Sequence, residues 1–147
     1  MSIFNAINVS ATGLTAERLR MDTISKNIAN ANTTRTSNGG PYRRQVVVFK
    51  TKEESSFSKV LQETTNSDGK AAKGVEVVGI RQDQSPFKKV YEPGHPDANE
   101  EGYVMMPNVE VVTEMANMIS ASRGYEANIT ALNTTKNIAL KALELGK

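Results

Sequence analysis

Apolar residues recur every seven positions at both ends of the chain. Near the start, Ile7, Leu14, Met21 and Ile28 form one row, and Ile3, Ser10, Glu17, Ile24 and Ala31 form a mixed companion row. This spacing predicts a long amphipathic helix over about residues 3–31. It should end where helix-poor residues gather, at Asn30, Asn32, Thr33 and Thr34, followed by the turn-forming run of residues 36–41 (TSNGGP). Near the end, Val111, Met118, Tyr125, Leu132 and Ala139 form an unbroken row, with Met115, Ser122, Ile129, Lys136 and Leu143 as its partner row. A second helix over about residues 109–145 follows, with Pro107 just before it, Asn108 as its N-cap and Gly146 as its stop. Gly13 and Gly124 lie inside these helices, where each costs about 1 kcal/mol relative to Ala. Close approach between the helices would give that cost a reason.

The middle of the chain changes period. Residues 42–50 (YRRQVVVFK) and 74–82 (GVEVVGIRQ) are rich in β-branched residues, and residues 87–92 (FKKVYE) and 103–106 (YVMM) are shorter strand candidates. Between the first two lies a polar stretch, about residues 51–73, with a weak apolar cluster at Phe57, Val60 and Leu61; it reads as a flexible insertion. Residues 91–96 (YEPGHP) read as a proline-braced turn. The expected fold is therefore α+β. Long N- and C-terminal helices form an antiparallel coiled-coil-like pair, with a small, mainly antiparallel β unit between them. The expected divisions are an N-terminal axial helix (1–34), a β-rich unit (35–107) and a C-terminal axial helix (108–147).

Composition changes this picture in one respect. Only 38% of the 147 residues are hydrophobic, with no Trp, and Ser10, Glu17, Ser122 and Lys136 thin the helical seams. The terminal helices are expected to be weakly ordered in the free subunit and to fold when many copies pack together. Charge adds a polarity. Residues 1–52 hold eight Lys/Arg against two acids, a formal +6, whereas residues 53–147 hold ten against fourteen, a formal −4. Such asymmetry could steer one copy's N-terminal part toward another copy's C-terminal part. No basic segment leads into an apolar run near Met1, and no run of about 18 apolar residues occurs.

Candidate chemistry does not assemble. There is no Cys, and His95 is the only His, so thiol chemistry and multi-His metal sites within one chain are excluded. The sequence holds no nucleophile elbow, Walker A loop or dinucleotide fingerprint. Residues 38–41 (NGGP) form a turn without a phosphate-binding Lys, and Glu53-Glu54 and Glu100-Glu101 read as solvated acidic turns. Arg35, Arg43, Arg44, Lys50 and Lys52 interleave with Tyr42 and Phe49, but no nucleic-acid signature accompanies them, and a strand surface explains them equally. Met105, Met106, Met115 and Met118 read as adaptable packing. The first helix has too weak a basic face for a membrane-surface helix.

The termini resemble a known family. Residues 13–18 (GLTAER) followed by 25–30 (SKNIAN) resemble the N-terminal signature of the bacterial flagellar rod, hook and hook-associated axial family. Residues 107–110 (PNVE), 114–115 (EM), 119–123 (ISASR) and 125–128 (YEAN) are similar to that family's second signature. Residues 41–45 (PYRRQ), with Val48 and Phe49, and residues 91–96 leading to 102–104 (GYV), look like its proximal-rod members. The resemblance implies a non-enzymatic structural subunit of the flagellar basal-body rod, without cofactor, nucleic-acid partner or direct membrane insertion. It implies export through the flagellar type III apparatus without a cleaved signal peptide, and assembly in the periplasmic part of the cell envelope. Implied partners are other copies and neighbouring rod proteins of the FlgB, FlgF, FlgG and FliE types. Packing between subunits is then expected at Ile3, Ile7, Leu14, Met21, Ile24, Ile28, Val111, Met115, Met118, Ile119, Tyr125, Ile129, Leu132 and Leu143. Asn27, Asn30 and Asn32 are expected to satisfy polar groups where the first helix exits. Another rod or hook protein of the family, or a coiled-coil adaptor or chaperone of the export system, stands as the alternative.

Overall fold

The computed structural model describes residues 3–37, 39–52 and 74–145. The expected insertion lies almost wholly outside these residues, as do Asn38 and the expected stop at Gly146.

The element order is α1 (Ile3–Ala29), β1 (Gln45–Thr51), β2 (Val75–Gln82), β3 (Lys88–Tyr91), β4 (Tyr103–Met106) and α2 (Val111–Leu145). It matches the expected α+β arrangement of two long terminal helices around a small antiparallel β region. α1 stops as the sequence predicts. The Asn30 amide and the Asn30 carboxamide both donate to the Lys26 carbonyl, at 3.1 and 2.9 Å, and Thr33 Oγ1 donates to Asn30 Oδ1 at 3.2 Å, so backbone and side chains together close the last turn. In the turn that follows, Gly39 and Gly40 carry φ of 78° and 76°, a region that side chains disfavour, which is why two glycines stand there.

α2 starts later than expected, and Asn108 is not its cap. Its carboxamide accepts the Arg44 amide proton at 2.8 Å and donates to the Asp83 and Ser85 carbonyls at 3.1 and 3.2 Å. Two backbone carbonyls and an amide at the root of the strands are stronger claims on that side chain than a solvent-exposed helix start. The Glu110 carboxylate serves the first turn instead, accepting from Thr113 Oγ1 at 3.1 Å.

The chain divides into two compact units. The first comprises Met1–Arg18, Phe49–Val78 and Ser122–Lys147. Here Gly13 faces Asn128 and Gly124 faces Glu17, so position rises along α1 as it falls along α2 and the helices run antiparallel. Ala16 is the buried apolar residue of this contact. Thr12 Oγ1 donates to the Val9 carbonyl at 2.7 Å and accepts the Val75 amide at 3.1 Å, tying the start of β2 to α1.

The second unit comprises Leu19–Val48 and Gly79–Ala121. Its core is Ile24, Val47, Val104, Val109 and Ala121, with Pro107 also buried. β3 and β4 pair antiparallel, with Val90 opposite Val104 and Tyr91 opposite Tyr103. The pleat sends Val104 into the core and leaves the two Tyr rings outside in edge-to-face contact at 5.3 Å. β1 and β2 form a separate two-stranded sheet. The Asp83 amide donates to the Arg44 carbonyl at 2.8 Å beyond one end, and the Lys52 amide to the Gly74 carbonyl at 2.8 Å beyond the other, which sets this pair antiparallel too.

Candidate functional site

Among the described residues of the second unit three polar side chains are buried, and two of them touch. Asn27 is 1% exposed and Glu114 is fully buried. The Asn27 carboxamide donates to Glu114 Oε2 and to the Gln45 carbonyl, both at 2.8 Å. Its oxygen accepts the Gln45 amide at 2.9 Å and the Tyr42 hydroxyl at 3.0 Å. Both donors and both lone pairs of the amide are thus used. Asn27 reads the start of β1 as a neighbouring strand would, through both the N–H and the C=O of Gln45.

The other Glu114 oxygen faces Arg44. Arg44 Nε and Nη2 donate to Glu114 Oε1 at 3.0 and 2.7 Å, and Nη1 donates to Asp83 Oδ2 at 3.1 Å. The third buried polar side chain, Thr23, donates to the Leu19 carbonyl within α1 at 2.8 Å. The ionisation states follow from this packing. Burial pulls the Arg44 guanidinium down, but its hydrogen bonds to Glu114 and Asp83 outweigh that, so its pKa lies above the ordinary value. Hydrogen bonds from the Ser85 hydroxyl and amide, then from Arg44, hold the Asp83 carboxyl down at about 2. Burial first, and the Glu114 charge second, push the Tyr42 hydroxyl up. Glu114 is thus held between one guanidinium and one carboxamide. A cavity of about 140 Å³ opens onto this pair, lined by Arg44 and Glu114 together with Arg20, Thr23, Val46 and Asn117 among others.

The arginines of the basic cluster acquire partners within the chain. Arg43 Nη1 donates to the Asp83 and Ser85 carbonyls at 3.1 and 3.3 Å, and its guanidinium lies 4.2 Å from the centre of the Phe87 ring. Arg35 approaches Asp97 at 3.9 Å, and Thr34 donates to Asp97 at 2.8 Å. His95 Nδ1 accepts the Asp97 amide at 3.1 Å inside the predicted turn. Among the described residues no three His, Asp or Glu converge on a possible metal position. No helix among them is long and apolar enough to cross a membrane.

The expected packing residues fall into three settings. Ile24 is buried, and Ile7, Leu14, Met21, Ile28, Met118, Tyr125 and Leu132 are half-buried. Ile3, Val111, Met115, Ile119, Ile129 and Leu143 are exposed. Alongside the half-buried row Met118, Tyr125, Leu132 and Ala139, the covered row of α2 is Glu114, Ala121, Asn128 and Thr135, one residue earlier than the expected partner row. It is small or polar throughout, so hydrophobic spacing could not find it. Val112 at 76% and Leu140 at 49% extend the exposed apolar surface of α2. Of the three asparagines, Asn27 reaches across the unit, Asn30 caps the end of α1, and Asn32 is exposed. The pairing of Asn27 with Glu114 had one sequence signal: both lie within the signature segments.

The sequence matches known proteins over its whole length. The family described as "Flagella basal body rod protein" matches residues 7–35, and "Flagellar basal body rod FlgEFG protein C-terminal" matches residues 100–145. The chain is 50% identical to the flagellar basal-body rod protein FlgC of Bacillus subtilis, over the whole of both chains. It is 47% identical to FlgC of Borreliella burgdorferi over 99% of this chain and 98% of that one. It is 40% identical to FlgC of Aquifex aeolicus over 100% of this chain and 99% of that one. With two signature-bearing helices locked to a strand by Asn27, Glu114 and Arg44, and such identity from end to end, the chain belongs to the FlgC family of flagellar basal-body rod proteins.

Proposed function

We propose that this chain, a structural subunit of the flagellar basal-body rod, builds the proximal part of that shaft by packing its terminal helices against those of other copies and of neighbouring rod proteins of the FlgB, FlgF, FlgG and FliE types. The observation that carries this reading is the exposed apolar surface of α2: Val112, Met115, Ile119, Ile129, Leu140 and Leu143. Burying large apolar side chains is worth about 1.5–3 kcal/mol each, and within one copy these remain in water. The covered row, by contrast, spends small and polar residues on the chain's own helix contact. The terminal helices are weakly ordered in the free subunit and become fixed as neighbours cover this surface. The chain leaves the cell through the flagellar type III export apparatus without cleavage and assembles in the periplasmic space. Torque then passes through side-by-side and head-to-tail helix contacts rather than through any chemical step.

The test is Ile119→Asp. Ile119 is 56% exposed, so a carboxylate there leaves the chain's own contacts in place. The variant should be exported at normal levels, be missing from purified basal bodies and leave cells non-motile. Normal swimming by that strain would overturn the reading. Circular dichroism of the dilute chain tests the ordering: two fully formed terminal helices at all concentrations would contradict it.

A further inference from the structure

Short side chains of the second unit capture the backbone amide two residues ahead. Asp83 Oδ1 accepts the Ser85 amide at 3.0 Å, and in the loop between β3 and β4 Asn99 Oδ1 accepts the Glu101 amide at 3.1 Å. Asp and Asn are the usual residues for this bond, because a short side-chain oxygen reaches the amide without strain. In the same loop His95 does this work, its Nδ1 accepting the Asp97 amide at 3.1 Å. An amide N–H can point only at an unprotonated ring nitrogen, so the ring is neutral here and carries its proton on Nε2. Asp97 in turn carries the polar links from this loop to the exit of α1. Its carboxylate accepts from Thr34 Oγ1 at 2.8 Å and lies 3.9 Å from the Arg35 guanidinium. All of these residues belong to the second unit.

We propose that the loop between β3 and β4 is an acid-sensitive clasp, closed on the exit of α1 while His95 is neutral and opened when His95 takes a proton. The residue type is what singles this turn out. An Asn at position 95 would make the same bond and keep it in acid, whereas imidazole is the side chain that ordinarily changes charge between about pH 5 and 8. His95 is the only His of the chain. A proton on Nδ1 sets two donors face to face, so the Asp97 amide has to turn away. The Asp97 carboxylate turns with it, and Thr34 and Arg35 lose their partner. The charged groups around the ring are Glu92, Asp97, Glu100 and Glu101 of its own loop and Arg35 of the exit segment, with Tyr91 and Tyr103 at the ends of the two strands that the loop joins. Among the described residues none of these side chains bonds the ring, whose one partner is the Asp97 amide. A chain assembled outside the cytoplasm, as proposed above, meets the pH of its surroundings, and acid there loosens the exit of α1.

Hydrogen exchange of purified basal bodies at about pH 8 and about pH 5 tests the clasp, with the paired amides of β3 and β4 in the same chain as the internal reference. In the original chain, residues 95–102 should exchange several-fold faster against that reference in acid than at the higher pH. His95→Asn keeps an acceptor in place and cannot take a proton, so its loop should stay protected at both values. His95→Ala loses the acceptor, and its loop should be open at both. Equal protection of the original loop at the two values would overturn the proposal, and that comparison needs no variant. A His95→Asn loop that opens in acid as the original does would overturn it too, since the proton would then act elsewhere. So would a His95→Ala loop as protected as the original at about pH 8. None of these outcomes bears on how copies pack, so the rod reading stands or falls separately.

Discussion

The Asn27 carboxamide donates to the Glu114 carboxylate at 2.8 Å across 87 positions of sequence. One residue comes from the last turns of α1 and the other from the first turn of α2, so this bond joins the two signature segments directly. Because the same amide holds both backbone groups of Gln45, it also fixes where β1 begins. Asn27→Ala would strand Glu114 Oε2, the Tyr42 hydroxyl and two backbone groups in a buried place. A loss of roughly 2–4 kcal/mol is expected, read as a lower urea concentration for release of this subunit from purified basal bodies. Asn27→Asp should be worse at neutral pH, since it sets a second carboxylate against Glu114. It should recover as acid protonates one of the pair.

Removing Arg44 should cost more than its partial exposure suggests. Its side chain is 25% exposed, but that of Glu114 is 1% exposed, so Arg44→Ala leaves a carboxylate buried without its cation. A penalty of about 3–5 kcal/mol is expected for the single variant. Arg44→Met combined with Glu114→Leu removes both charges and should restore part of that loss. The two singles would then sum to clearly more than the double. Additive losses in the same urea-release assay would mean that the pair does not act as a unit.

Much of the fold was legible because long helices advertise themselves by period. Both terminal helices, the four strands and the turn around His95 stand close to where spacing and turn residues put them. Half of the inner face of α2 was legible, in the row Met118, Tyr125, Leu132 and Ala139; the other half was not. Glu114, Ala121, Asn128 and Thr135 carry no hydrophobic signal, and a search for apolar rows passes over them to Met115, Ile129 and Leu143, which the chain leaves exposed. Arg44 was misread for a related reason. A strand Arg looks solvent-directed in sequence, and only the tertiary fold supplies the buried carboxylate that captures it. Buried polar pairs depend on two distant segments at once, and one-dimensional periodicity reports each segment alone.

The Asp83 side of this network is sensitive to strong acid. Its carboxyl is held at about 2 against an ordinary 3.8, so the folded turn favours the ionised form. The stabilisation is therefore complete above the ordinary value and is lost as pH falls from there through about 2. Carbon NMR of a chain labelled at Asp should show one carboxyl titrating near the lower value. Ser85 supplies the largest part through its hydroxyl at 2.6 Å and its amide at 3.0 Å. Ser85→Ala should move that titration upward while leaving some depression from Arg44. An Asp83 carboxyl that titrates normally in the unsubstituted chain would contradict the hydrogen-bonded turn.

Gly13 gives a test of the helix pair in which propensity and packing oppose each other. In an isolated helix, Gly→Ala is worth about 1 kcal/mol in favour of Ala. Here a Cβ on residue 13 would meet Asn128 Oδ1 at 2.9 Å and the Asn128 amide carbon at 3.1 Å. Asn128 cannot swing aside freely, because its amide nitrogen donates to the Gly124 carbonyl at 2.8 Å. Accommodating the methyl means breaking that bond or separating the helices. Gly13→Ala should therefore weaken the pair by about 1–2 kcal/mol despite its better propensity. Gly13→Ala with Asn128→Ala removes the obstruction and adds two good helix formers, so the double variant should match or exceed the original chain. Hydrogen-exchange protection of α1 amides in assembled basal bodies would distinguish the outcomes. Equal protection in the Gly13→Ala single variant and the original chain would show that the helices do not approach this closely.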